Sequence, residues 1–320
     1  KSLQVIDENG KSDLFVLTEP GLEQISFLSG KPQYPSSLYR EGEKRAYGIE
    51  LIDLNDDAIL DWMYLVPGDE FSLKVRLGKK EGFGPELSFD VSLSSFPTLL
   101  KTSSKSKQKK FCSIDSLSKE AVIFAFSNDN ESNSKASFEV ISYDIFSTSN
   151  KASSWTMCDF NLDGIEELVA ASPEKGQIFH IESEENGFSG ILKSSPSLKG
   201  ITHLSAFHHS GKTKLLILST EEQILGISDY TQEKGFSFPL MIEVEGSPLA
   251  AVTSVTGKGK DDKFSILCEL DSEFLLKTYK WSAKNKFEAT DEYQVEGLRR
   301  DPSDLFSCDL NGDKLQDLLI

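Results

Sequence analysis

Histidine is scarce in this chain, cysteine is scattered, and no long apolar run is present. Each shortage removes a class of protein. No stretch of 18 or more apolar residues occurs, so no membrane-spanning segment is expected. The four cysteines, Cys112, Cys158, Cys268 and Cys308, include no CxxC pair, which leaves a zinc or redox site little support. They read as small hydrophobes buried without a disulfide. Basic residues are in the minority, 34 Lys and Arg against 51 Asp and Glu, for a net charge of −17. A nucleic-acid backbone is therefore not expected as a partner, since it requires clustered Lys and Arg. The same balance suits a well-solvated surface and cation binding. The motifs GxSxG, HExxH, GxGxxG and the P-loop are all missing. No segment sustains a 3.6-residue apolar period, so helix should be scarce. No signal peptide is visible, and the chain reads as a mature or excised stretch, with a larger polypeptide as its expected source.

What the chain does contain is short alternating strands between polar turns. Residues 71–77 and 87–93 alternate apolar and polar at period two, the pattern of half-buried strands. Points where an apolar strand runs into a polar loop recur at residues 3–7, 48–53, 111–115, 156–159, 202–207, 250–255 and 305–309. Their mean spacing, about 50 residues, belongs to propellers or solenoids. The expected fold is all-β, a single β-propeller domain of about seven four-stranded blades. The blades would be near residues 1–45, 46–99, 100–151, 152–200, 201–247, 248–300 and 301–320, the last incomplete. Closing the ring would need either residues beyond 320 or a strand from residues 1–7. The basic, serine-rich run 101–110 reads as a solvated loop, and His208 with His209 as part of a hairpin tip.

Three of the seven starts carry an acidic loop of one design. Asp53, Asn55, Asp57 and Asp61; Asp159, Asn161, Asp163 and Glu167; and Asp309, Asn311, Asp313 and Asp317 each occupy positions 1, 3, 5 and 9. A hard cation such as Ca²⁺ takes six to eight oxygens, and a tight loop with an acid or amide at every second position can supply them. The plain alternative is a polar turn without metal, since Asp, Asn and Gly favour turns. An EF-hand needs a bidentate Glu at position 12 and flanking helices. Position 12 here is Tyr64, Ala170 or Ile320, each inside an apolar strand-like run, which excludes that motif.

The nine-residue pattern resembles the calcium-binding hairpin of FG-GAP/VCBS repeats, the unit of α-integrin-type β-propellers. The resemblance implies Ca²⁺ held by the twelve side chains named above and by the backbone carbonyls of Ile59, Ile165 and Leu315. Two departures stand out. Ala58 and Lys314 replace the glycine at position 6, where a left-handed residue other than glycine costs on the order of 1 kcal/mol, and Glu167 replaces the last Asp. Asp7, Asn9 and Asp13 form a shortened fourth candidate. The implied function is a non-catalytic module for protein or glycan recognition and adhesion. Extracellular calcium near the millimolar level suits such modest sites, which points to the cell surface or exterior. One alternative is a propeller-type carbohydrate-active enzyme, a polysaccharide lyase or sugar dehydratase drawing on residues such as His180, His203 and Arg40. Another is a structural segment of a larger surface protein.

Overall fold

The computed structural model describes residues 3–8, 11–18, 21–28, 31–40, 46–66, 68–69, 72–89, 96–100, 109–115, 120–127, 137–144, 154–172, 174–184, 187–254, 263–282, 286–298, 305–310 and 315–320. Among these every regular element is a β-strand. The chain divides into two compact units, Lys1–Asp144 with Asp309–Leu315, and Ile145–Cys308 with Gln316–Ile320.

The first unit holds three antiparallel sheets. One comprises β1 (Leu3–Glu8), β2 (Lys11–Thr18) and β3 (Gly21–Leu28), with β4 (Lys31–Pro32) and β5 (Ser36–Arg40) both paired to β3. The next is the meander β6 (Tyr47–Ile52), β7 (Asp61–Leu65), β8 (Leu73–Gly78) and β9 (Phe83–Phe89). The third is β10 (Thr98–Leu100), β11 (Lys110–Asp115), β12 (Glu120–Ser127) and β13 (Ser137–Asp144).

The second unit repeats the plan. It contains β14 (Trp155–Cys158), β15 (Glu167–Ser172), β16 (Gln177–Glu184) and β17 (Gly187–Pro196). It continues with β18 (Ile201–His209), β19 (Lys212–Ser219) and β20 (Ile224–Thr231), where β21 (Gly235–Phe236) and β22 (Leu240–Ile242) both pair with β20. Then come β23 (Ser247–Ser254), β24 (Lys263–Leu270), β25 (Glu273–Ser282) and β26 (Lys286–Val295), and the pair β27 (Phe306–Cys308) and β28 (Asp317–Leu319). Among the described residues six sheets of four or five strands are thus complete, where about seven were expected. At the seventh start the described residues form two strands.

Within each unit consecutive sheets stack face to face. Leu22, Ile49 and Trp62 fill the layer between the first and second sheets, and Met63, Phe111 and Phe124 the layer between the second and third. In the second unit, Val169, Ile201 and Ile217 join the fourth and fifth sheets, and Phe207, Leu218 and Phe264 the fifth and sixth. This double coverage explains why β7, β15 and most of β19 are apolar on both faces and buried throughout. It also corrects the half-buried reading of 71–77. Lys74 and Arg76, the polar members of β8, are buried as well. Lys74 reaches Asp69 at 3.2 Å, while Arg76 donates to Tyr64 Oη at 3.0 Å and lies 4.2 Å over the Tyr39 ring.

The first strands of neighbouring sheets are stitched by short polar side chains. Gln4 on β1 exchanges two hydrogen bonds with the Leu51 backbone on β6, at 2.7 and 3.2 Å. Ser154 Oγ accepts from Leu204 N at 3.1 Å, Ser205 meets Thr253 at 2.7 Å, and Ser254 meets Ser307 at 2.8 Å. The four cysteines form no disulfide. Cys112 and Cys268 are buried as expected, but Cys158 and Cys308 are half-buried at the strand ends that lead into acidic loops. His209 ends β18, and Ser210–Gly211 turns the chain, both with positive φ, so the histidine pair flanks a hairpin tip. Most of the 101–110 run lies outside the described residues.

Candidate metal centre

Loop 53–61 joins β6 to β7, and loop 159–167 joins β14 to β15. Their backbones are held by the same set of hydrogen bonds. The first aspartate of each accepts from the amides at positions 5 and 6. Asp53 takes Asp57 N at 3.1 Å and Ala58 N at 2.8 Å, and Asp159 takes Asp163 N at 3.1 Å and Gly164 N at 2.8 Å. The asparagine amide donates to the fifth side chain, Asn55 to Asp57 at 3.0 Å and Asn161 to Asp163 at 2.9 Å. The fifth side chain then accepts from the seventh amide, Ile59 N or Ile165 N. Positions 4 and 6 are left-handed in both loops, at Asp56 (φ 58°) and Ala58 (φ 62°), and at Leu162 (φ 64°) and Gly164 (φ 91°). Ala58 therefore adopts the glycine conformation, with the strain that implies.

The second position had no role in the sequence reading, and it is the anchor of the loop. Leu54, Phe160 and Leu310 are all buried. In the two loops at 53 and 159 the amide of this residue donates to the ninth carboxylate, Leu54 N to Asp61 Oδ2 at 2.8 Å and Phe160 N to Glu167 Oε2 at 2.6 Å. An apolar residue directly after the first Asp in all three loops was the available signal. The Phe160 ring sits against Phe236 at 5.0 Å, Tyr230 at 6.0 Å and His180 at 6.5 Å between centroids. Thr213 on β19 donates its hydroxyl to the Asp159 carbonyl at 2.9 Å, which ties the loop to the next sheet.

Asp159, Asp163 and Glu167 each bring a carboxylate oxygen within 4.8 Å of the others, the one such group of three among the described residues. Glu167 is 1% exposed, and its Oε1 has no hydrogen-bond partner. A buried carboxylate oxygen left without a partner is costly. Burial pushes the Glu167 carboxyl up to about 7, and the charges of Asp159 and Asp163 act in the same sense. Hard oxygen donors, mutual like-charge proximity and an orphaned oxygen fit a hard divalent cation. Asp159, Asp163 and Glu167 would hold it, with Asn161 Oδ1 and the Ile165 carbonyl as further oxygens. The ion would supply charge neutralisation and fixed loop geometry.

The other expected ligands divide. Asp53, Asn55, Asp57, Ile59 and Asp61 are placed in one loop, yet the three acids do not converge as their counterparts do. Asp309 and Asp317 are half-buried and Leu315 is exposed. Asn311 and Asp313 lie outside the described residues. So does Asn9; Asp13 accepts from Gln24 Nε2 at 2.8 Å within the first sheet. Of the residues named for an enzymatic alternative, His180 is buried among aromatic rings, and burial depresses its pKa to about 4. His203 stands on β18, and Arg40 is exposed on β5.

The sequence matches no family model and no curated protein. Solved structures do resemble it in fold. The WD40 domain of SCAP from fission yeast superposes with a TM-score of 0.55 at 11% identity, covering 97% of this chain and 77% of that one. A candidate 6-phosphogluconolactonase from Bacteroides fragilis gives 0.57 at 12% identity, covering 95% and 86%. BBS1N, solved in complex with ARL6DN, gives 0.55 at 9% identity, covering 92% and 82%. Consecutive four-stranded antiparallel meanders and these likenesses define the class, a β-propeller. At such identities the likeness speaks of the fold alone.

Proposed function

We propose that this β-propeller is a calcium-stapled, non-catalytic recognition module of the FG-GAP/VCBS type, working at the cell surface or exterior. The observation that carries the reading is the buried, unpartnered Glu167 Oε1 beside Asp159 and Asp163. Three carboxylates that repel one another become mutually stabilising around a divalent cation, so binding favours the folded state by mass action. The ion acts on rigidity, holding the β14–β15 hairpin in one geometry. No step of bond making is assigned to it. Recognition falls to a face of the propeller, with a protein or a glycan as ligand. Among the described residues no helix is long and apolar enough to cross a membrane. The reading is tested by screening the protein against glycan and protein-ligand arrays in calcium and in chelator. Calcium-dependent capture of one ligand class supports it. Turnover of a captured glycan would replace recognition with enzymology.

A further inference from the structure

The two described loops share sequence pattern, backbone conformation and internal hydrogen bonds, and they part at the ninth residue. We infer that they differ in kind: loop 159–167 takes a hard divalent cation, whereas loop 53–61 is closed by its own protein and takes none. The inference rests on the calcium reading above and sharpens it to a single one of these two sites.

Asp61 is fully buried, and both of its oxygens are engaged by backbone amides. Leu54 N donates to Oδ2 at 2.8 Å, and Gly78 N donates to Oδ1 at 2.7 Å. Those two donors lie on different segments, so the carboxylate bridges its loop to the end of β8. It is held there, and it does not join Asp53 and Asp57 in a group of the kind formed by Asp159, Asp163 and Glu167. Glu167 is one methylene longer. It satisfies Phe160 N with one oxygen and leaves the other buried and unpartnered beside the two aspartates.

The neighbouring strand decides which arrangement forms. Trp62 pairs with Arg76, and Leu168 pairs with Ile181, so Gly78 and Ser183 stand at matching places two residues further on. A Cβ on Gly78 would meet Leu60 O at 2.3 Å and Ile59 Cγ2 at 2.6 Å. Glycine alone lets β8 come close enough to cap Asp61. Ser183 instead turns its hydroxyl to the Glu166 carbonyl, although the pairing with the following strand slips at the matching place in both sheets, between Arg76 and Gly78 and between Ile181 and Ser183. The ninth carboxylate of the second loop thus lacks a donor from the neighbouring strand, its Oε1 stays unpartnered, and a cation takes that place. A match to the sequence pattern is a poor guide here: the loop with the family's Asp at position 9 is the closed one.

The test is calcium titration by calorimetry on four single substitutions in the full chain. Asp159→Asn and the milder Asp163→Asn should each remove one equivalent of calcium relative to the wild type. Asp53→Asn and Asp57→Asn should remove none. Circular dichroism on every variant establishes that it is folded, and the milder pair serves if the position-1 pair is not. Loss of an equivalent in Asp57→Asn as well as in Asp163→Asn would overturn the division while leaving the calcium reading intact. A wild type that takes up no calcium would overturn both.

Discussion

Asp61 and Glu167 occupy the same loop position, and one methylene with one distant glycine separates their chemistry. Asp159 organises its loop by accepting two amides, so Asp159→Ala should abolish calcium-induced stabilisation, read as loss of the melting shift between calcium and chelator. A shift of wild-type size in that variant would remove the loop from consideration. Gly78→Ala forces a Cβ onto the Leu60 carbonyl. A loss of about 1–3 kcal/mol is expected from strain of this kind, measured by chemical denaturation. His180 gives a pH test independent of any metal. Its folded pKa is lowered to about 4 from the model-peptide value of 6.5, because burial disfavours the imidazolium. The folded state therefore binds fewer protons than the unfolded state between those values. The stability involved is fully present above about 6.5 and is lost as pH falls toward 4, by up to ~3 kcal/mol. Replacing His180 with Phe should flatten that acid limb, and an unchanged limb would assign the acid sensitivity to other groups.

At the scale of elements, the chain follows a simple local logic. Strands such as 168–171 and 215–218 are apolar runs bounded by turn residues, and both fall inside strands of the structure. The alternation at 71–77 located β8 but misjudged its polar face. Periodicity reports two faces, whereas the burial of the second face depends on what packs there, and here it is Tyr39 with an ion-pair network. The hairpin β14–β15 should respond most to the cation. Chelator is expected to speed amide hydrogen exchange in Trp155–Cys158 and Glu167–Ser172 while leaving Lys263–Leu270 unaffected. Uniform acceleration across both hairpins would point to global destabilisation instead.

At the scale of the whole molecule, a net charge of −17 and clustered carboxylates mean that cation binding would act on stability. Millimolar calcium should raise the melting temperature by several degrees and excess chelator should reverse it, checked by calorimetry at fixed ionic strength. An indifferent melt would sink the metal reading. The all-β class and the propeller architecture were legible from strand length, turn spacing and the recurrence near 50 residues. The number of complete blades was not, because a repeat start marks where a strand meets a loop without reporting how many strands follow it.

What the sequence determined by itself is therefore the local part: strands from period and β-rich runs, and loops from Asp, Asn and Gly at fixed steps. Within nine residues the backbone has few ways to satisfy its amides, so the two described loops share one conformation even with Ala58 in place of glycine. The tertiary structure decided the rest. Whether the ninth carboxylate has a second partner depends on a residue 17 positions away, Gly78 for Asp61, brought in by strand register. That pairing is non-local, and no pattern inside the loop encodes it.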